Sequence, residues 1–480
     1  MILRPRGKAV ETDNQDRHAD RKRCLDPEAV KQRIDHLIAS KQIRLHDVFD
    51  DEEIHRACDK FNLEFRDRHF TPAITLSLFV SQVLSRGDAC STVIAGFNRD
   101  RKRQGLSAVC EDASGFCKAR SRLPVELIDH LSSRVREIER DKMQTDWKWK
   151  GLNVYLVDGF VLRAPDTVAN QAGYPQPSSQ KEGLGFPQVR VVVTTSLAGG
   201  CVVHYSTGKV EGKKTGEVSL FREKHADFVA GDIVVGDSNF ESFHDAVLLN
   251  RRGAHMVCCI NGSRNSPFEG VCDTIDDMII VLQKPDFDKS RFTREQWEAL
   301  PQTLSYRMIR YRVTGRNTEL TIVTTLTDRD RFPAADIAEL YGLRWDVELD
   351  IRSYKSTMGM CELRCLTPKN LDREIAAGIL GYNLIRLLMC DTAAVFEVHP
   401  REISFSAARD AWRTYHDELT TTNDLMWIIL SAGSRFVRNR PGRQEPRAIK
   451  RRQAKYPKLT VARPGYRGRD KSRAKNNPET

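Results

Sequence analysis

Residues Asn153 to Arg163 read N-V-Y-L-V-D-G-F-V-L-R, a short β-branched run whose most apolar part, VYLV, ends at Asp158. Such a run predicts a strand. Two more runs of the same kind follow, QVRVVVTTSL from Gln188 and CVVHYSTGKV from Cys201, and then a helix candidate, GEVSLFREKHADF from Gly216. DIVVGDSNF, from Asp232, is a brief apolar run ending at Asp237; FHDAVLLNRRG predicts the next helix and HMVCCING, from His255, the next strand. Strands followed by helix, strand, helix and strand describe a mixed α/β sheet with crossover connections.

Outward from this centre the periodicity changes. Residues 1–145 read as helical: PEAVKQRIDHLIASKQ opens on Pro27, a favoured first helical residue, and spaces Val30, Ile34 and Leu37 by four and three. AITLSLFVSQVLSRG, from Ala73, repeats that logic and stops at Gly87; Lys118, Arg120 and Arg122 cluster just before another apolar-periodic segment that begins at Leu123. That cluster is either a solvated face or part of a DNA-contacting helix pair. On the other side, residues 262–327 contain the strand-like runs MIIVLQ, LSYRMIRYRV and ELTIVTTL, which predict an inserted β subdomain. Helix returns near Pro333 and runs past Lys355, and EIAAGILGYNLIRLLMC and LMWIILSAG complete the body.

The chain has 480 residues and a mass of 54.7 kDa, enough for two or three domains. Its net charge of +11 is unevenly placed: residues 435–480 hold sixteen Lys or Arg against three acids, +13, which leaves −2 for the 434 residues before them. This proline-containing tail predicts a disordered segment attracted to phosphates. No apolar stretch approaches the ~18 residues that span a bilayer, and the first residues lack a hydrophobic export segment, so a cytoplasmic protein without a membrane partner is expected. Twelve scattered cysteines without a C-x-x-C suit a reducing compartment and argue against structural zinc. His204 and His244 have no partner at metal-ligand spacing and read as packing or surface residues.

Asp158 and Asp237 stand at similar places, each closing an apolar run, where side chains of α/β sheets emerge into a crevice. Taken singly, each also reads as an ordinary turn aspartate. In DIAELYGLRWDVELDIRSYKSTMGM, from Asp336, a wheel of 100° per residue gathers Tyr341, Arg344, Glu348 and Lys355 in a stripe about 60° wide. The plain alternative is a salt-bridged surface helix. Two or three carboxylates plus a substrate phosphate suit Mg2+, and paired ions serve in-line displacement at phosphorus. The two cations and the tyrosine would then grip flanking phosphates. No phosphate-binding G-x-x-x-x-G-K-[ST] loop competes.

With these residues in place, the chain resembles the DDE transposases of bacterial insertion sequences, in their fourth-numbered branch. Its Y-x2-R-x3-E-x6-K signature is met by Tyr341, Arg344, Glu348 and Lys355, and PDTVANQAGYPQPSSQKEGLGFPQVR, from Pro165, is similar to the segment after that family's first aspartate. The likeness runs from about Phe79 to Leu388. It implies a ribonuclease-H-like catalytic core with Asp158, Asp237 and Glu348 as ligands of paired Mg2+ ions, with Mn2+ as a substitute. It further implies DNA contacts by Tyr341, Arg344, Lys355, Lys118, Arg120 and Arg122, cut-and-paste movement of double-stranded element ends into target DNA, and a homodimer in the synaptic complex on the bacterial nucleoid. The implied layout is an N-terminal helical, end-binding domain (1–145), the first part of the core (146–261), a β-rich insertion (262–327), the core helix with the third acid (328–370), a C-terminal helical region (371–434) and the basic tail (435–480). Some relatives flip a base onto an aromatic residue of the insertion, and Trp297 is the candidate beside its plainer reading as a packed tryptophan. One departure stands out: Phe160 follows Asp158-Gly159 where the family has a hydroxyl residue. It leaves open a second reading, a DNA-binding regulator of transposase descent that no longer cuts.

Overall fold

The computed structural model describes residues 27–39, 51–65, 68–109, 112–260, 268, 272, 274–288, 293–312, 319–415 and 422–437. Six helices precede the sheet: α1 (Pro27–Ala39), α2 (Asp51–Lys60), α3 (Pro72–Leu84), α4 (Cys90–Arg103), α5 (Ser114–Arg120) and α6 (Val125–Lys142). Local chemistry sets their ends. Thr71 caps α3 by accepting the Ile74 N–H at 3.3 Å, proline takes the first helical position, and Gly87 leaves in the left-handed region at φ +69°. Leu127, Leu131, Val135 and Ile138 of α6 recur at the three-and-four spacing of one buried face.

The eight strands are β1 (Val154–Arg163), β2 (Gln188–Ser196), β3 (Val202–Lys209), β4 (Ile233–Gly236), β5 (His255–Cys259), β6 (Ile275–Gln283), β7 (Thr303–Arg312) and β8 (Glu319–Thr324). They form one sheet in the order β3-β2-β1-β4-β5-β8-β7-β6. β1, β2 and β3 pair antiparallel, β4 and β5 run parallel to β1, and β8, β7 and β6 continue antiparallel from β5. The segment expected as an inserted β subdomain shares the central sheet among the described residues. Val257, Cys258 and Cys259 pair with Thr324, Val323 and Ile322, so its strands extend the central sheet.

Short helices α7 (Val168–Gly173), α8 (Glu217–Arg222), α9 (Phe243–Arg251) and α10 (Arg294–Glu298) lie between strands, and α11 (Ala334–Gly342), α12 (Trp345–Arg352), α13 (Pro368–Phe396), α14 (Phe405–Tyr415) and α15 (Thr422–Ala432) follow them. Strand alternation divides the apolar residues between two cores. Leu156, Phe160 and Leu162 face the larger one, shared with α6 and α13, whereas Val157 faces a smaller one with Phe221, Val234 and Phe240. α13 is one helix long and apolar enough by composition to cross a bilayer, which the reading of the sequence did not anticipate; 89% of its most apolar window is buried inside the protein. It is a core helix. The basic tail lies outside the described residues.

Candidate active site

Asp158 does not end its strand. β1 continues to Arg163 because β2 pairs with it throughout, Asp158 lying opposite Val193. The aspartate is thus held within the sheet by its pairing with β2 rather than presented by a loop. β4 fixes its neighbour: Leu156 pairs with Val235, and two residues further on come Asp158, within β1, and Asp237, the first residue after β4. Strands lie about 4.8 Å apart and equivalent residues of a parallel pair share a face. Both aspartates therefore project from the face that Leu156 and Val235 present to the larger core. A tight turn holds Asp237 at the strand end, its Oδ1 accepting the Asn239 N–H at 2.8 Å.

Placing the two acids together has an electrostatic consequence. The Asp158 carboxyl is pushed up to about 6, first by burial and then by the negative charge of Asp237, with Glu217 adding to it; the Gly159 N–H, donating at 2.7 Å, and the Arg344 guanidinium oppose the shift. Glu217, the first residue of α8, carried no signal in the sequence. Its carboxylate lies against Gly159, where a Cβ would come within 2.5 Å of Glu217 Oε1. A methyl at position 159 would have to displace that side chain.

α12 packs over β1 and brings the third acid. Arg344 Nη2 donates to Glu348 Oε1 at 3.1 Å, so one guanidinium faces both Glu348 and Asp158. The helix is clamped in place by buried Asp350, which accepts from Arg401 Nη1 and Nη2 at 3.1 Å each and from Arg386 of α13. The straight wheel drawn over the whole segment fails at both ends. Between α11 and α12 the Arg344 N–H bonds to Tyr341 O, a tighter three-residue turn. Tyr341 is consequently turned inside, 7% exposed, beside Cys259 of β5. After α12, Ser353–Thr357 form a π turn in which the Met358 N–H reaches Ser353 O at 3.0 Å. This wider turn sets Lys355 Nζ 5.6 Å from the centre of the Phe160 ring.

The basic cluster is divided. Lys118 and Arg122 are exposed. Arg120 turns inward, donating to Gln82 Oε1 at 2.7 Å with its guanidinium 4.8 Å from the Phe79 ring centre, and joins α5 to α3. Trp297 is packed: its Nε1 donates to Pro285 O at 2.9 Å and Lys284 Nζ lies 4.0 Å from its ring centre. His204 sits against Phe228, 5.5 Å between rings, and His244 beside Asp245.

Among the described residues no three Asp, Glu, His or Cys side chains are gathered as ion ligands. The donor chemistry nonetheless fits a hard cation: two adjoining carboxylates short of positive charge, and a third drawn to an arginine shared with one of them.

The transposase DDE domain family matches residues 149–384, a stretch that contains Asp158, Asp237, Glu348 and Lys355. The chain is 24% identical over 355 residues to the transposase InsG for insertion sequence element IS4 of Escherichia coli (strain K12), covering 72% of this chain and 78% of that one. Among solved structures, the cryo-EM piggyBac transposase synaptic complex with hairpin DNA is similar at a TM-score of 0.39 and 9% identity, over 86% of this chain and 80% of that one.

Proposed function

We propose that this chain, which belongs to the DDE transposases of the IS4 type, binds the terminal inverted repeats of its insertion sequence and catalyses metal-dependent strand cleavage and strand transfer. The observation that carries this reading is the adjacency of Asp158 in β1 and Asp237 just past the end of the parallel strand β4, beneath the helix of Glu348. The strand order β3-β2-β1-β4-β5, antiparallel then parallel, supports a ribonuclease-H-like core, with 1–145 as the end-binding domain and 262–327 as an insertion that shares the core's sheet.

Asp158, Asp237 and Glu348 would hold Mg2+, or Mn2+ in its place. When bound, a pair of such ions activates the attacking oxygen and stabilises the leaving one during displacement at phosphorus. The protein's own residues do the rest. The sheet fixes Asp158 and Asp237 so that neither swings away, and Arg344 neutralises part of the acid cluster while no cation is present. Lys355 and Arg344 orient the flanking phosphates of the DNA, and Tyr341 supports Arg344 from the interior. Lys118 and Arg122 lie on the DNA-facing side of the N-terminal helices, with Arg120 holding their helix from within. The active form is a homodimer bridging two element ends, working on the nucleoid.

One observation favours a second reading, a regulator that binds ends without cutting: Glu348 is ion-paired with Arg344. Incubation of the purified protein with end-bearing duplex and Mg2+ separates the two. Nicking by the wild type, lost in Asp237→Ala while binding persists, supports the transposase. Binding without wild-type nicking supports the regulator.

A further inference from the structure

We propose that Phe160 is the positioning residue for Lys355, its ring holding the ammonium on the Asp158 face of the sheet without neutralising it, so that the full charge remains for a DNA phosphate. The inference rests on the function proposed above and concerns a position where this chain departs from the motif of the family it resembles.

The strand places the ring. Phe160 is two residues beyond Asp158 on β1, hence on the same face and about 7 Å further along. It is 7% exposed and is backed by Tyr354, ring centres 5.7 Å apart, while the Tyr354 hydroxyl donates to Ile375 O of α13 at 3.4 Å. The ring is thus fixed from behind by a core helix. Its other neighbour is Lys355 Nζ at 5.6 Å, inside the roughly 6 Å range over which a cation feels an aromatic quadrupole.

The environment of Lys355 shows what the ring must do. The π turn directs the side chain to a half-buried place that disfavours its charge, and Arg163 nearby adds repulsion. No carboxylate pairs with Lys355 among the described residues. Arg344 differs, its guanidinium being engaged by Glu348 at 3.1 Å. A carboxylate in place of the ring would hold the ammonium more strongly, but it would cancel the charge that a phosphate needs. An aromatic face attracts the cation and leaves its charge intact. The hydroxyl residue of the family pattern offers no such surface.

The test places phenylalanines with one, two and three ring fluorines at position 160 of the full chain, which weakens the quadrupole while nearly preserving shape. Two quantities are read: the rate at which Lys355 is acylated by an amine reagent without DNA, and the affinity for an end-bearing duplex in Ca2+. Acylation is expected to rise stepwise with fluorination and affinity to fall about two- to tenfold, with Phe160→Tyr close to wild type. In Lys355→Met the fluorine series should leave affinity unchanged, which a purely structural role of the ring would not produce. Flat acylation across the series, flat affinity, or an undiminished fluorine effect in Lys355→Met overturns the assignment. Stepwise acylation and affinity in a protein that never nicks the duplex upholds the role of Phe160 and refutes the proposed catalysis instead.

Discussion

Replacing Glu139 by Gln should abolish most of a stability loss that the wild type suffers between about pH 4.5 and pH 7. Glu139 lies on α6, 3% exposed, with Oε1 lacking a hydrogen-bond partner and crowded against Gly199. Burial pushes its carboxyl up to about 7 from 4.5, against the opposing pull of Ser196, Arg401, Arg386 and Lys148. In the unfolded chain the group ionises first, so within this window the unfolded state binds fewer protons and stability falls as pH rises. Below the unfolded value both states are protonated and the stability is intact. At 1.36 kcal/mol per unit, a difference of roughly 2.5 units sets a ceiling of about 3 kcal/mol on the effect. Urea unfolding of wild type and Glu139→Gln at pH 4.5, 6 and 8 measures it, and groups common to both proteins cancel in the comparison. The variant should gain on the wild type by about 1 to 3 kcal/mol between the extremes. Parallel stability profiles would refute the claim that an uncompensated carboxyl sits beneath the sheet.

The same logic applies where function is concerned. Asp158→Asn should stabilise the protein at neutral pH, by about 1 to 3 kcal/mol, while nicking of end DNA disappears, because it removes a buried charge beside Asp237; lower stability in thermal unfolding would contradict this. Gly159→Ala forces a methyl to within 2.5 Å of the Glu217 carboxylate and should lose about 1 to 3 kcal/mol, most of it regained in Gly159→Ala with Glu217→Ala; a double variant as unstable as the single one would place the conflict elsewhere. Removing residues 435–480, with their +13, should weaken DNA binding and flatten its salt dependence, each lost phosphate contact contributing a slope of about 0.9 in log K against log salt. An unchanged slope would mean that the tail does not touch DNA.

Much of this arrangement is legible in the sequence because its signals are local. Strand periodicity and the Pro, Gly and Thr that bound the helices rest on short-range sterics and hydrogen bonding, and they mark β1 to β5 and the N-terminal helices closely. The two aspartates are legible as a pair for the same reason. What the sequence hides depends on partners distant in the chain. The joining of β8 to β5 is decided by a contact between strands some sixty residues apart. The wheel that aligned Tyr341 with Lys355 assumed one regular helix, whereas a tight turn and a π turn shift both ends out of phase. Arg120 looked like its exposed neighbours, but Gln82 and the face of Phe79 offer it better company inside. Phe160 reads as a defect until Lys355 is seen above its ring.

The joining of β8 to β5 also bears on how the protein moves. A flap attached by two flexible connections can swing without disturbing what lies beneath it. Here the outer three strands are laced to β4 and β5 through a continuous ladder, so a pull on β6 is transmitted as shear across the sheet to the strand that leads into Asp237. On the function proposed above, a rearrangement that draws the three acids together around DNA would be borne by α12 and its flanking turns, or by the sheet twisting as a whole.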